Sequence, residues 1–260
     1  MNDLGYAFGA DGLGYRAKVG VLVPATNTIA QPEYEALRPY GVTNHVSRMA
    51  PSTRASMHEG RMDDYRRSLD RGMEHILAGL DLLSPCSPDS VVLGHSIDTF
   101  RGGLRGIETM RDALQGHAGG TPLVLPAESF LRALRALGTG RRIAVLTPYW
   151  PPADEQVRAF FSEAGYEVTR IVGLKCVGPL AIASTPPGVA AAALRELAAD
   201  APDAIVQPGT NLATVRLAAH AEHWLGIPVL SCNSVVYWDA LRGLGIEDRR
   251  GDAGALWRDH

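Results

Sequence analysis

The chain has 260 residues, 46% of them hydrophobic and 20% charged, with a formal net charge of -3. That composition is ordinary for a globular α/β protein, and its charge leaves no electrostatic footprint for nucleic acid or an anionic membrane. No stretch of the sequence reaches the roughly 20 apolar residues of a membrane helix. Cys86, Cys176 and Cys232 are too few and too scattered for a disulfide framework or a zinc motif. They read as reduced thiols of a cytoplasmic protein.

Residues 1–16 are rich in Gly and lack the basic start and apolar run of a signal peptide, and read as a flexible N-terminal tail. Short Val/Ile/Leu runs then alternate with helical patterns. Lys18–Val23 is a buried strand ended by Pro24, and Val42–Met49 is a second strand. Met62–Leu83 has the helical period, with Tyr65, Leu69, Met73, Ile76 and Leu80 on one face. Ser90–Leu93 is a strand ended by Gly94, followed by a helix over Leu104–Leu114, a strand over Leu123–Leu125 and a helix over Glu128–Leu137.

After Gly138 the pattern restarts. Strands are predicted at Arg142–Leu146, Glu167–Val172, Ala204–Val206 and Pro228–Leu230. Helices are predicted at Ala153–Ala164, Val189–Ala199, Thr214–Leu225 and Ser234–Leu244. Strands separated by helices imply parallel sheets flanked by helices. The halves also echo one another: Val19–Pro24 matches Ile143–Pro148, and Val91–Ser96 loosely matches Ile205–Asn211. The expected fold is therefore two pseudo-symmetric Rossmann-like lobes, 17–126 and 127–233, with the C-terminal helix 234–260 joining the first. Loops at the strand C-termini of both lobes would face one cleft.

Five loop sequences carry the candidate chemistry. Thr26 and Asn27 follow the first strand, where hydroxyl, amide and helix-start N–H groups suit a carboxylate or simply cap the helix. Gly94, His95 and Ser96 end the third strand; His95 can exchange protons near neutral pH, and Asp98 can orient it or cap a helix. Gly209, Thr210 and Asn211 occupy the matching place in the second half and offer oxyanion donors or an ordinary turn. Tyr149, just past a strand, can donate its hydroxyl to a carboxylate or pack in the core. Cys232 reads as a strand-end thiol or a buried inert one, whereas Cys86 and Cys176 are not expected at strand-end loops. Ser52, Thr53 and Arg54 are candidate gate residues. His220 and His223, three apart with Glu222 between them, suit a solvated helix face better than a metal pair. No Walker loop and no Gly-x-Gly-x-x-Gly after the first strand support a nucleotide cofactor.

In their order and spacing these motifs resemble a known family. Val19–Pro24 with Thr26-Asn-Thr28 is similar to the opening of maleate isomerases, and Leu146-Thr-Pro-Tyr149 to their second-lobe strand. Leu225–Val229, Ser231, Asn233 and Tyr237–Arg242 are similar to the shared C-terminal signature, and Val92–Ser96 with Phe100-Arg-Gly102 to a loop of arylmalonate decarboxylase. The resemblance, to the maleate isomerase and arylmalonate decarboxylase branch of the aspartate/glutamate racemase superfamily, implies a site between two lobes, no cofactor and a homo-oligomer. The two cysteine positions of that family map onto Gly94 and Gly209. Asn27 and Tyr149 match substrate-contacting residues, and His95 and Ser96 match carboxylate-binding loop residues. The family Asn expected near Pro179 is missing.

The expected activity is a cofactor-independent lyase or isomerase acting on a small carboxylate through an enediolate-like intermediate, with His95, Tyr149 and Ser96 as the catalytic set. Substrate contacts are expected from Thr26, Asn27, Gly94, Gly209, Thr210 and Asn211, and more weakly from Asp98 and Cys232. The alternatives are hydrolysis of an amide, imide or lactone by His95-activated water, and non-catalytic carboxylate binding. A racemase with two opposed thiols is rejected, because the chain lacks the pair.

Overall fold

The structure, a computed structural model, describes residues 11–50 and 62–260. The first half runs β1 (Ala17–Pro24), α1 (Ala30–Leu37), β2 (Val42–Met49), α2 (Met62–Leu83), β3 (Ser90–Leu93), α3 (Ile97–Phe100), α4 (Gly103–His117), β4 (Leu123–Val124) and α5 (Pro126–Ala136). The second runs β5 (Arg142–Thr147), α6 (Pro151–Glu163), β6 (Glu167–Gly173), α7 (Pro179–Ala183), α8 (Pro187–Ala198), β7 (Ala204–Gln207), α9 (Val215–Leu225), β8 (Val229–Ser231), α10 (Cys232–Gly243) and α11 (Ala255–Asp259).

The element types follow from local sequence. β1 is buried along nearly its whole length, as a central parallel strand covered on both faces must be. α5, α6, α7 and α8 each carry Pro in the first turn, where the ring's fixed φ suits a helix and no N–H is needed. The short helices α3, α7 and α11 were not anticipated, because four or five residues are too few to show a period.

Two parallel sheets form, in the orders β2-β1-β3-β4 and β6-β5-β7-β8. The two sheets have the same topology, as the internal echo implied. In each sheet the chain leaves the central pair in opposite directions, so a crevice opens at the strand C-termini between β1 and β3 and between β5 and β7.

A hydrophobic core crosses the lobe boundary, combining Val21 and Val92 of the first sheet with Val145, Val157, Phe160 and the α10 residues Val236 and Leu241. A second core, including Leu146, Ile205 and Leu197, covers the other face of the second sheet. Ile76 and Leu80 of α2 are buried as the period predicted, and Leu83 is buried with them. Phe100 of α3 meets Phe160 of α6 edge-on at 5.2 Å and Phe161 at 5.8 Å, and Phe130 of α5 at 6.4 Å.

Two segments at the sequence boundaries make notable contacts. α5, assigned to the second lobe from its place after β4, packs against α10 and α3. Its Arg132 Nε donates to Asp239 Oδ1 of α10 at 2.6 Å, and Ser129 Oγ donates to Asp239 Oδ2 at 2.5 Å. Residues 11–16, read as part of a loose tail, are held in place. Asp11 Oδ1 accepts the Leu13 and Gly14 N–H groups, and the Arg16 N–H donates to Gly41 O at 2.9 Å. Met1–Ala10 and the candidate gate residues Ser52, Thr53 and Arg54 lie outside the described residues.

Phe100 is fully buried among aromatic rings from both lobes. Phe100→Ala is expected to cost about 3–5 kcal/mol through the cavity left behind. Urea denaturation would read this as a lower midpoint at unchanged slope, and a midpoint equal to that of the wild type would contradict the packing described.

Candidate active site

The loops after β1, β3, β5 and β7 converge. Asn27, in the loop after β1, uses its amide at both ends. Its Oδ1 accepts the N–H groups of Ile29 at 3.0 Å and Ala30 at 2.9 Å, which caps α1. Its Nδ2 donates to Thr210 Oγ1 at 3.2 Å and to Gly94 O at 3.4 Å. Thr210 Oγ1 itself donates to Gly94 O at 3.0 Å. Asn211 Oδ1 accepts the Thr28 N–H at 3.0 Å, and its Nδ2 donates to Pro179 O at 2.8 Å. The capping and ligand readings of the Asn27 loop thus merge into a third role, a stitch between lobes. Arg48 of β2 supports it by donating to Asn27 O at 2.9 Å. Thr26 is half-buried and makes no hydrogen bond among the described residues.

His95 and Ser96 stand beside this stitch. Ser96 Oγ and Tyr149 Oη share a hydrogen bond of 3.0 Å across the lobe boundary, and both residues are buried. The Tyr149 N–H donates to Thr147 Oγ1 at 3.2 Å, and Thr147 Oγ1 donates to Asp154 of α6, which fixes the loop after β5. His95 Nε2 lies 3.0 Å from Asp98 Oδ2, so Asp98 orients the imidazole rather than capping α3. Burial disfavours the imidazolium, but the charge and hydrogen bond of Asp98 outweigh it and hold the His95 pKa above its ordinary 6.5. The imidazole keeps 28% of its surface exposed, so it can reach solvent or a ligand. The backbone N–H groups of His95, Ser96 and Thr210 make no hydrogen bond among the described residues.

Gly94 and Gly209, where the resemblance places the two cysteines, are closely packed. A Cβ on Gly94 would come within 2.5 Å of Val23 Cγ1, at the end of β1. A Cβ on Gly209 would come within 2.8 Å of Gln207 Nε2 and 2.9 Å of Pro148, at the end of β5. In each lobe the neighbouring central strand has closed over the position.

Of the cysteines, Cys176 needs correction. Cys232, directly after β8, is the first residue of α10 and is fully buried, in line with the inert-thiol reading. Burial and the nearby Glu33 push its pKa well above the ordinary thiol range despite a hydrogen bond with Ser96, so the thiolate is suppressed. Cys176 does lie in a strand-end loop, since β6 runs on to Gly173 and the chain then bends alongside the β5 loop, with the Cys176 N–H donating to Pro148 O at 3.0 Å. Its Sγ meets Thr185 Oγ1 at 3.6 Å. On α9, Glu222 accepts the N–H groups of Val229 and Ala255, while His220 and His223 are exposed, which matches the solvated-face reading.

Sequence reasoning missed Glu33 and gave Asn233 no role. Glu33, in the first turn of α1, reads as an ordinary acidic residue at a helix N-terminus. The structure turns it inward, where burial raises its pKa to about 7 despite hydrogen bonds from Asn233 and from the Val215 and Thr214 N–H groups. No local pattern marks such a residue, because its partners are some 180 to 200 positions away in the chain.

Comparison with known proteins agrees with this geometry. The profile of the arylmalonate decarboxylase family matches residues 65–257. The arylmalonate decarboxylase of Bordetella bronchiseptica is 30% identical over 59% of this chain and 64% of its own length. The maleate isomerase of Nocardia farcinica is 25% identical over 93% of this chain and 95% of its own. Among solved structures, an N. farcinica maleate cis-trans isomerase variant with a covalently bound succinylcysteine intermediate superposes with a TM-score of 0.80 at 21% identity, covering 94% of this chain and 99% of that one. Unliganded arylmalonate decarboxylase gives 0.74 at 24% identity, covering 93% and 98%. The profile match spans most of the chain, with the His95, Tyr149 and Thr210 loops inside it and the Asn27 loop outside, and on that ground the chain is an enzyme of the arylmalonate decarboxylase family.

Proposed function

We propose that this enzyme decarboxylates a small malonate-type dicarboxylate, with His95 delivering the proton to carbon. The observation that carries the reading is the His95–Asp98 pair, set beside the Ser96–Tyr149 bond at the lobe boundary. The C–C bond to one carboxylate breaks, CO₂ leaves, and the electron pair moves onto the remaining carboxylate as an enediolate. Ser96, Tyr149 and the N–H groups of His95, Ser96 and Thr210 are suitable donors for that charge. His95, held protonated by Asp98, then gives its proton to the α-carbon and recovers one from water.

Two features favour this reading over its rivals. Isomerisation through a covalent thiol adduct needs a cysteine in the cleft, but Gly94 and Gly209 stand at the family positions and Cys232 is buried. A histidine biased towards imidazolium suits proton donation better than activation of water, which favours decarboxylation over hydrolysis.

2-Phenylmalonate and maleate serve as probe substrates. Turnover of phenylmalonate to CO₂ and phenylacetate is expected, and its absence, alongside isomerisation of maleate, would overturn the proposal. His95→Ala should lower kcat by about 10²–10⁴. Tyr149→Phe should lower it by about 10²–10³, by removing a donor to the developing charge.

The pH dependence has a defined sign. His95 acts as an acid, so kcat/KM should fall as pH rises through its raised pKa. Asp98→Asn removes the charge that raises it, leaving burial to act alone, and the alkaline limb should move to lower pH. A limb that stays in place would show that His95 is not the group titrating.

A further inference from the structure

Outside the residues assigned to the reaction, one half-buried carboxylate touches elements on both sides of the site. Glu33 Oε1 accepts the N–H of Val215, the first residue of α9, at 3.0 Å. Its Oε2 accepts Asn233 Nδ2, from the first turn of α10, at 2.6 Å. The same Nδ2 donates to Thr210 O at 2.8 Å. Both amide hydrogens of Asn233 are thereby used, and because both partners are acceptors they fix which way the amide faces. Asn233 is fully buried and its Oδ1 has no hydrogen-bond partner among the described residues. Its polar anchors are therefore Glu33 on one side and the Thr210 carbonyl on the other.

We infer that Glu33 is a positioning residue: acting through Asn233, it holds the Gly209–Asn211 loop in register with the Gly94 loop of the opposite lobe. The contacts run from Glu33 to Asn233, to Thr210 O, and from Thr210 Oγ1 to Gly94 O.

The hydrogen bonds favour the ionised carboxylate, because each oxygen faces an N–H donor and a proton on either oxygen would compete with one of them. The titratable groups facing Glu33 are Tyr34 on its own helix and Cys232 on α10, both pushed by burial towards their neutral forms. From α9 it meets the Thr214 and Val215 N–H groups. With the Glu33 pKa raised to about 7, the clamp tightens above neutrality and loosens below it. The consequence for turnover rests on the proposed decarboxylase reading, but the clamp can be measured without substrate.

The experiment is an NMR titration of the full chain from about pH 5 to about pH 9, spanning the perturbed carboxyl. It follows the Glu33 side-chain carboxyl carbon and the backbone amides of Gly209, Thr210 and Asn211. The loop amides should shift with the same midpoint as Glu33, near 7. In Glu33→Gln, whose amide must point a donor at one of the two N–H groups, the loop amides should stay near their low-pH positions throughout. Asn233→Ala removes a hydrogen bond that favours the ionised form, so the Glu33 midpoint should rise. Loop amides that ignore the Glu33 titration in the wild type, where no variant has to fold, would overturn the inference. So would a folded Glu33→Gln protein whose loop amides match those of the wild type at high pH. In the kinetic arm, phenylmalonate kcat/KM should fall roughly tenfold per pH unit below the midpoint, and Glu33→Gln should lack this acid limb. Absent turnover with an intact titration would fail the decarboxylase reading alone. A flat titration with normal turnover would fail the clamp alone.

Discussion

The site depends on one backbone oxygen. Gly94 O, at the end of a central strand of the first sheet, accepts Thr210 Oγ1 from the second lobe and a longer contact from Asn27 Nδ2. A buried carbonyl outside the sheet ladder must find a donor or incur a desolvation cost of about 1–3 kcal/mol. Here the donors come from the loops the site requires, so satisfying that carbonyl also registers the lobes. The Ser96–Tyr149 bond is placed by the same registration, and His95 stands between the two contacts in sequence.

Gly94 and Gly209, onto which the resemblance maps the family thiols, are both closely packed. Gly94 follows β3 and is packed by Val23 at the end of β1, while Gly209 follows β7 and is packed by Pro148 at the end of β5. A side chain at either point would press on side-chain atoms at the ends of the central strands. The residue after Gly94, His95, is left by the α3 turn within reach of Asp98, which is the pairing the proposed chemistry uses.

The two titratable groups near the stitch are perturbed for opposite reasons. His95 has a charged partner and partial exposure, so pairing prevails and favours its cationic form. Among the described residues Glu33 has hydrogen-bond donors but no cation, so burial prevails and favours its neutral form. Cys232, deeper still, is held as a thiol. An acid at the surface of the cleft, a neutral thiol behind it and a carboxylate poised near neutrality follow from depth and partner type alone.

Strand and helix order, the doubled topology and the strand-end loops were legible in the sequence because each rests on local rules. Val19–Val23 is apolar throughout, Met62–Leu83 keeps one helical face, and the two halves repeat the same strand-then-proline ending. Those rules named Asn27, His95, Ser96, Tyr149 and Thr210 as loop residues. Which of their atoms meet was decided by tertiary structure, since the Asn27–Thr210 contact spans 183 residues and Glu33–Asn233 spans 200. Burial separated the roles further, turning Cys232 into the closed start of a helix and Glu33 inward from a face that reads as solvated. Sequence pattern sets the period of each element, but desolvation and hydrogen-bond partners exist only once both lobes have closed.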